Sequence, residues 1–150
     1  MPARAKRRCR LKQYEKRIIL PFQFKIDYLK EIREGMAGKT SFIVYQQIID
    51  ELKAKENRFP SKTRFKKNLD AGLTYLNHNK SLYNIIFDGA RKKESETTDD
   101  FLIRKCISLK DEESRVYLAT NDKELRRKAN KAKIVSIFMR QKKYIDVEGF

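Results

Sequence analysis

Five carboxylates in this 150-residue chain follow closely on apolar segments, at a spacing from which metal-assisted chemistry could be built. Asp50 and Glu51 lie about one helical turn beyond Ser41-Phe42-Ile43-Val44-Tyr45. Asp99 and Asp100 open a predicted helix after the apolar segment 82–87, and Asp122 directly follows Arg115-Val116-Tyr117-Leu118-Ala119. Ligands of an open parallel sheet bind beyond the carboxyl ends of its strands. Three acidic positions could therefore converge on one edge and hold Mg²⁺ or Mn²⁺ through oxygen ligands. Each acid also has a purely structural reading. Asp99 and Asp100 suit the first turn of a helix, where carboxylates oppose the helix dipole. Asp122 suits an N-cap, and Asp50 or Glu51 a solvated helix face.

Other chemistries find less material. His78 is the single histidine, and Cys9 and Cys106 stand far apart, so a zinc site is not expected. Two isolated thiols suit a reducing compartment, with Cys106 on a buried helix face. The longest apolar runs fall far short of the ~20 residues of a membrane span. The basic segment 1–12 is followed by no apolar h-region, so no secretory signal is expected there.

Charge points to the partner. Thirty-six Lys and Arg against twenty Asp and Glu leave +16. Polyanions are the expected ligands of such a surface, because each neutralised phosphate releases condensed counterions. Three basic clusters stand out. Arg4, Lys6, Arg7, Arg8, Arg10 and Lys12 form a block with no acid among them, which reads as an arm that orders against an anionic partner. Lys53, Lys55, Arg58, Lys62, Arg64, Lys66 and Lys67 form the second. Lys123, Arg126, Arg127, Lys128, Lys131 and Lys133 combine with Arg140, Lys142 and Lys143 in the third. Phe59 and Tyr144 could stack on unpaired bases. Separate patches suit folded RNA grasped from more than one side.

The elements that must position these groups follow from periodicity. Ile26, Leu29 and Ile32 predict a helix over about 25–34, and Ser41–Tyr45 reads as a strand buried on both faces. A helix over 46–56 and a four-turn helix carrying Phe65, Leu69, Leu73 and Leu76 come next. The segment 82–87 is a predicted strand, and Thr98 is the predicted cap of a helix carrying Leu102, Cys106 and Leu109. A strand over 115–119, a basic helix to about 131, a strand over 134–139 and a short last one over 144–147 complete the set. Alternating strands and helices imply βαβ units, a mostly parallel sheet and an α/β fold. The organisation is a basic arm over residues 1–16 and a single domain over 17–150.

The segments Thr98-Asp99-Asp100-Phe101-Leu102, Ala119-Thr120-Asn121-Asp122-Lys123-Glu124-Leu125-Arg126-Arg127 and Met139-Arg140-Gln141-Lys142-Lys143-Tyr144 together resemble the PIN-domain (PilT N-terminal) ribonucleases. They are most similar to the archaeal branch and to the eukaryotic PIN proteins of small-subunit ribosomal RNA processing. Leu20-Pro21-Phe22-Gln23-Phe24 and the element around Ile48-Ile49-Asp50-Glu51-Leu52 share this similarity, which spans about residues 20–150. The resemblance implies a three-layer α/β/α fold around a central parallel sheet, and a single-strand endoribonuclease with Mg²⁺ or Mn²⁺ held by clustered acids. Glu51 would match the family's helix acid, Asp99 or its neighbour Asp100 the third acid, and Asp122 the acid after the later strand.

The departure is at the front, where the family places an Asp-Thr-Asn-like triplet after its first strand. Counting back without gaps, the Asp position falls on Tyr14, with Glu15 adjacent. With Ile18-Ile19-Leu20 as the strand instead, its end falls on Pro21, which has no side-chain ligand. The acid set is therefore read as degenerate, with Glu51, Asp99 and Asp122 as vestigial ligands, no cofactor and no catalytic residue. The expected function is noncatalytic RNA binding within a ribosomal particle, in contact with ribosomal RNA and neighbouring ribosomal proteins. Such a protein would be cytoplasmic and ribosome-associated, or nucleolar in a eukaryote. An assembly factor released from precursor particles would need the same patches. The alternative is a metal-dependent endoribonuclease of ribosomal RNA processing, or a toxin, using Glu51, Asp99, Asp100 and Asp122 with Glu15 as substitute ligand. A homodimer is possible but not predicted.

Overall fold

Near-continuous apolar runs along the strands produce a sheet with two covered faces. The computed structural model describes residues 15–21, 28–36, 38–58, 63–111, 114–140 and 144–149, and the side chains of 56–58, 63–65 and 144 lie outside that description. In chain order the elements are β1 (Glu15–Ile19), α1 (Leu29–Gly35), β2 (Thr40–Tyr45), α2 (Gln46–Arg58), α3 (Thr63–His78), β3 (Ile85–Asp88), α4 (Thr98–Leu109), β4 (Ser114–Ala119), α5 (Lys123–Lys131), β5 (Val135–Arg140) and β6 (Tyr144–Glu148). The strands form one sheet in the order β3-β2-β1-β4-β5-β6. All neighbours pair in parallel except β5 and β6, which are antiparallel.

The period of two along each strand sends successive side chains to opposite faces. Ile18, Phe42, Val44, Ile85 and Ile137 meet Leu29 and Ile32 of α1 and Leu76 of α3 on one face. Ile19, Ile43, Tyr45, Val116 and Leu118 meet Phe101, Leu102 and Cys106 of α4 and Leu125 and Ala129 of α5 on the other. Helix α2 serves both cores through Ile49 and Ile48. The result is the expected three-layer α/β/α arrangement. Strand β2 is buried along its whole length, as its unbroken apolar run requires. Cys106 is buried, and desolvation pushes its thiol up to about 12, so it is an inert packing group. Among the described residues no helix is long and apolar enough to cross a membrane.

The boundaries around β3 and α4 differ from expectation. The strand expected over 82–87 is Ile85–Asp88, and Leu82 is 59% exposed. A turn closed by Tyr83 N–H donating to Asn79 O and Ile85 N–H to Lys80 O takes the preceding residues. Asn84, at φ 54°, adopts the left-handed conformation that asparagine tolerates. The cap of α4 is Thr97, whose hydroxyl oxygen accepts from the Asp100 N–H, so Thr98 is the first helical residue. Of the helix expected over 25–34, Leu29 to Glu34 are helical, and residues 25–27 lie outside the described residues.

Phe101 is fully buried and packs edge-on against Tyr45, with ring centroids 5.2 Å apart. Phe101→Ala is expected to cost about 3–5 kcal/mol, because the cavity it leaves lies between a helix and two strands that cannot collapse into it. Urea unfolding followed by circular dichroism measures this; a loss under 1 kcal/mol would refute the packing account.

Candidate functional site

Strand order places the site. Strands β2 and β3 are laid down to one side of β1 and β4 and β5 to the other, so the connections reverse direction between β1 and β4. A crevice opens beyond the carboxyl ends of strands at such a point. A cavity of about 230 Å³ lies there, lined by Pro21 after β1, by Ile48, Glu51, Leu52 and Lys55 of α2, by Thr98, Asp99 and Leu102 of α4 and by Leu125 of α5.

Glu51 is the most heavily engaged acid. Its carboxylate accepts from Thr98 Oγ1 at 2.8 Å and Gln47 Nε2 at 3.3 Å, and it pairs with the Lys92 ammonium. Partial burial alone would raise its pKa, but the hydrogen bonds from Lys92, Thr98 and Gln47 together outweigh that and hold it below the usual range. Asp50 faces away, taking Arg91 Nη1 at 2.6 Å and Gln46 Nε2 at 2.9 Å. Arg91 and Lys92 sit in the loop after β3, and Lys92 N–H also donates to Gln47 Oε1 at 3.4 Å. The far end of that loop is tied by Glu96, which accepts from Arg104 Nε and Nη2 at 2.8 and 2.9 Å.

Asp99 is placed differently. Burial, joined by the charges of Asp122, Glu124 and Asp100, raises its pKa against the pull of Lys128, whose Nζ lies 3.8 Å away. Asp100 is exposed and 4.0 Å from the same ammonium. Asp122 caps α5, its Oδ1 accepting from the N–H groups of Glu124 and Leu125 at 2.9 and 3.2 Å. The fold thus brings Glu51 and Asp99 into one cavity with Asp122 near enough to be felt as charge, while Asp50 and Asp100 point elsewhere.

A divalent ion held by clustered carboxylates does not fit this donor set. Among the described residues no group of three or more His, Cys, Asp or Glu is placed to hold a metal. The cation at Glu51 is Lys92, Asp122 gives its Oδ1 to a helix cap, and the side chain reaching the cavity after β1 is that of Pro21. Glu15, the suggested substitute, begins β1 opposite Ser114 at the amino edge of the sheet. Four residues of strand, ~13 Å, separate it from the strand's other end. Its partner is Arg17, at 4.0 Å. Tyr14 lies outside the described residues.

The basic clusters fare unevenly. Arg4, Lys6, Arg7, Arg8, Arg10, Lys12, Phe59, Lys62, Lys142 and Lys143 lie outside the described residues, as do the side chains of Arg58, Arg64 and Tyr144. Lys53, Lys55, Lys66 and Lys67 are exposed. Arg126 is drawn inward, 3.1 Å from Glu148 and stacked 4.1 Å from the Phe138 ring centroid. Arg140 pairs with Asp146 at 2.9 Å and Lys128 with the α4 acids. Lys123, Arg127 and Lys131 remain as an exposed stripe on α5, and Lys133 is exposed beyond it. Lys92 and Gln47 are not singled out by the sequence, and Thr98 is singled out only as a helix cap. The signal that could have found Lys92 is Arg91-Lys92-Lys93, three cations directly after a strand at the acidic edge.

The two cavity acids should respond oppositely to neutralisation. The folded pKa of Glu51 lies below its ordinary 4.5, so its carboxylate contributes stability above that pH and loses it as pH falls through the folded value. Glu51→Gln should therefore lower Tm at pH 7, by an amount that shrinks in acid. The folded pKa of Asp99 lies above its ordinary 3.8, so its charge costs stability at neutral pH, a cost that fades as pH falls through the folded value and is gone below the ordinary one. Asp99→Asn should raise Tm at pH 7 and lose this advantage in acid; calorimetric scans across pH check both signs. At the α5 cap, Asp122→Ala should cost ~0.5–2 kcal/mol and Asp122→Asn much less, since asparagine caps nearly as well.

No curated protein matches the chain. A family model described as PIN domain matches residues 23–140, from beyond β1 through β5. With the parallel α/β/α sheet and the acidic cavity at its switch point, that match assigns the fold: the chain belongs to the PIN-domain family.

Proposed function

We propose that this protein is a noncatalytic RNA-binding member of the PIN family, a cytoplasmic component of a ribosomal particle (nucleolar in a eukaryote) that contacts ribosomal RNA and neighbouring ribosomal proteins. One observation carries the reading: at the cavity where PIN nucleases hold their metal, the Glu51 carboxylate is neutralised by Lys92, and the corner after β1 is Pro21. An ammonium pinned by salt bridge offers no site to activate water, which a hydrolytic metal must do. Loss of the front acid makes the motif degenerate, and no cofactor is required.

RNA binding rests on charge that the fold leaves outside. Internal ion pairs leave the net +16 intact, since each takes one cation and one acid together, and Lys123, Arg127 and Lys131 fall at i, i+4 and i+8 on one exposed face of α5. That spacing advances ~6 Å per step along the helix. The segment 1–12 adds six cations. The nuclease reading draws on Glu51 and Asp99 sharing one cavity; it requires cleavage of single-stranded RNA with Mn²⁺ that Glu51→Gln abolishes.

The decisive experiment is a high-salt sucrose gradient of lysate, quantifying the protein against known ribosomal proteins. Phosphate-held binders lose ~10³–10⁵ in affinity between 50 and 200 mM salt, so adventitious association disappears. Retention near one copy per mature subunit is expected; absence from mature subunits would overturn the ribosomal reading. In purified form, Lys123→Glu, Arg127→Glu and Lys131→Glu together should weaken binding to single-stranded RNA and lower the logarithmic salt slope by about 2, at ~0.7 per phosphate contact.

A further inference from the structure

The cavity at the carboxyl edge retains shape and acceptors after its metal chemistry is discounted. Its floor is apolar, made by Ile48, Leu52, Leu102 and Leu125, with Pro21 at one wall. At about 230 Å³ it falls below the ~300–1,000 Å³ of drug-sized ligand sites, a size for one planar ring system and not for a whole nucleotide. Phosphate is disfavoured inside, because the Asp99 carboxylate presents negative charge to the space. A base is favoured, because it gains from apolar walls and carries donors on its edge.

We infer that this cavity receives one unpaired guanine of a bound RNA strand, read along its Watson–Crick edge by the Asp99 carboxylate. The inference rests on the RNA-binding reading and names the base that the cavity selects. Glu51 has little acceptor capacity left, since Gln47, Thr98 and Lys92 already share its two oxygens. Asp99 has it in reserve. Its partner Lys128 stands at 3.8 Å, beyond hydrogen-bond length, and among the described residues no hydrogen bond reaches its carboxylate. Its side chain is 31% exposed, so it is partly desolvated yet reachable.

Among the four bases guanine alone offers two adjacent donors, N1–H and N2–H, which match two carboxylate oxygens as a guanidinium does. Adenine sets an acceptor beside its amino group, against the second oxygen. Cytosine does the same, and uracil flanks its single N–H with two carbonyls. Lys55 lines the cavity and Lys128 stands 3.8 Å from Asp99, so both set positive charge beside it.

The test is fluorescence anisotropy with short labelled oligouridines carrying one central guanosine, adenosine, cytidine or inosine. The guanosine oligomer should bind about tenfold tighter than the adenosine and cytidine ones, with inosine, which lacks the N2 amino group, in between. Asp99→Asn, whose amide replaces one acceptor by a donor, should bind the guanosine and adenosine oligomers alike. Circular dichroism and the rise in Tm expected for this variant establish that it is folded. Equal binding of all four oligomers by the wild-type protein, or a guanosine preference that survives Asp99→Asn, would overturn the inference and leave RNA binding standing. Failure to bind any oligomer, or ribosomal RNA, would instead overturn the RNA-binding reading and this inference with it.

Discussion

Strand β1 is hydrogen-bonded on both sides, to β2 and to β4, and everything at the carboxyl edge depends on that pairing. Because β1 is the strand from which the sheet grows both ways, its end marks where the connections separate and the crevice opens. Ile18 and Ile19 alternate between the two cores, so the register of β1 is set by burial on both faces. A shift by one residue would exchange them and turn the preceding charged residues inward. The register that buries both isoleucines carries the chain out of the strand through Leu20 to Pro21, which lines the cavity. The character of the corner is therefore decided by the packing of residues that have no chemistry of their own.

The same edge shows how a strongly basic chain settles its own acids. Arg91 and Lys92 fold back from the loop after β3 onto Asp50 and Glu51, while Arg104 holds Glu96 at the loop's far end. Partly buried carboxylates that would otherwise be costly become the anchors of this loop. Thr98 joins the two halves, its hydroxyl donating to Glu51 from the first residue of α4. Asp99 is the exception, crowded by Asp122, Glu124 and Asp100 with Lys128 at a distance. One cavity of the PIN fold thus holds a saturated acid beside an under-coordinated one.

Charge on α5 divides in a similar way. Arg126 is drawn between Glu148 and the ring of Phe138, and Lys128 leans toward α4. Lys123, Arg127 and Lys131 face outward. A helix whose buried stripe is Leu125 and Ala129 must expose residues two and six positions further on, since these fall on its opposite side.

Much of this was legible in the residues. The two-faced burial of β2 follows from an unbroken apolar run, the helical face of Cys106 from its spacing with Leu102, and the parallel sheet from alternation of element types, because these are local periodicities that burial merely enforces. The acids at the carboxyl edge were legible too, since a strand followed by a turn puts the next residues there. Their fates were not. Nothing local distinguishes Asp50 from Glu51 or Thr97 from Thr98; one residue of helical rotation, about 100°, sends Asp50 to Arg91 and Glu51 into the cavity. Lys92 lies forty-one positions from Glu51 and reaches it only because β3 is hydrogen-bonded beside β2. Sequence determined which elements form and which edge is acidic, through short-range pattern. Tertiary structure alone decided which acid is neutralised, which caps a helix and which keeps acceptors to spare, because those outcomes depend on contacts between segments that only the assembled sheet brings together.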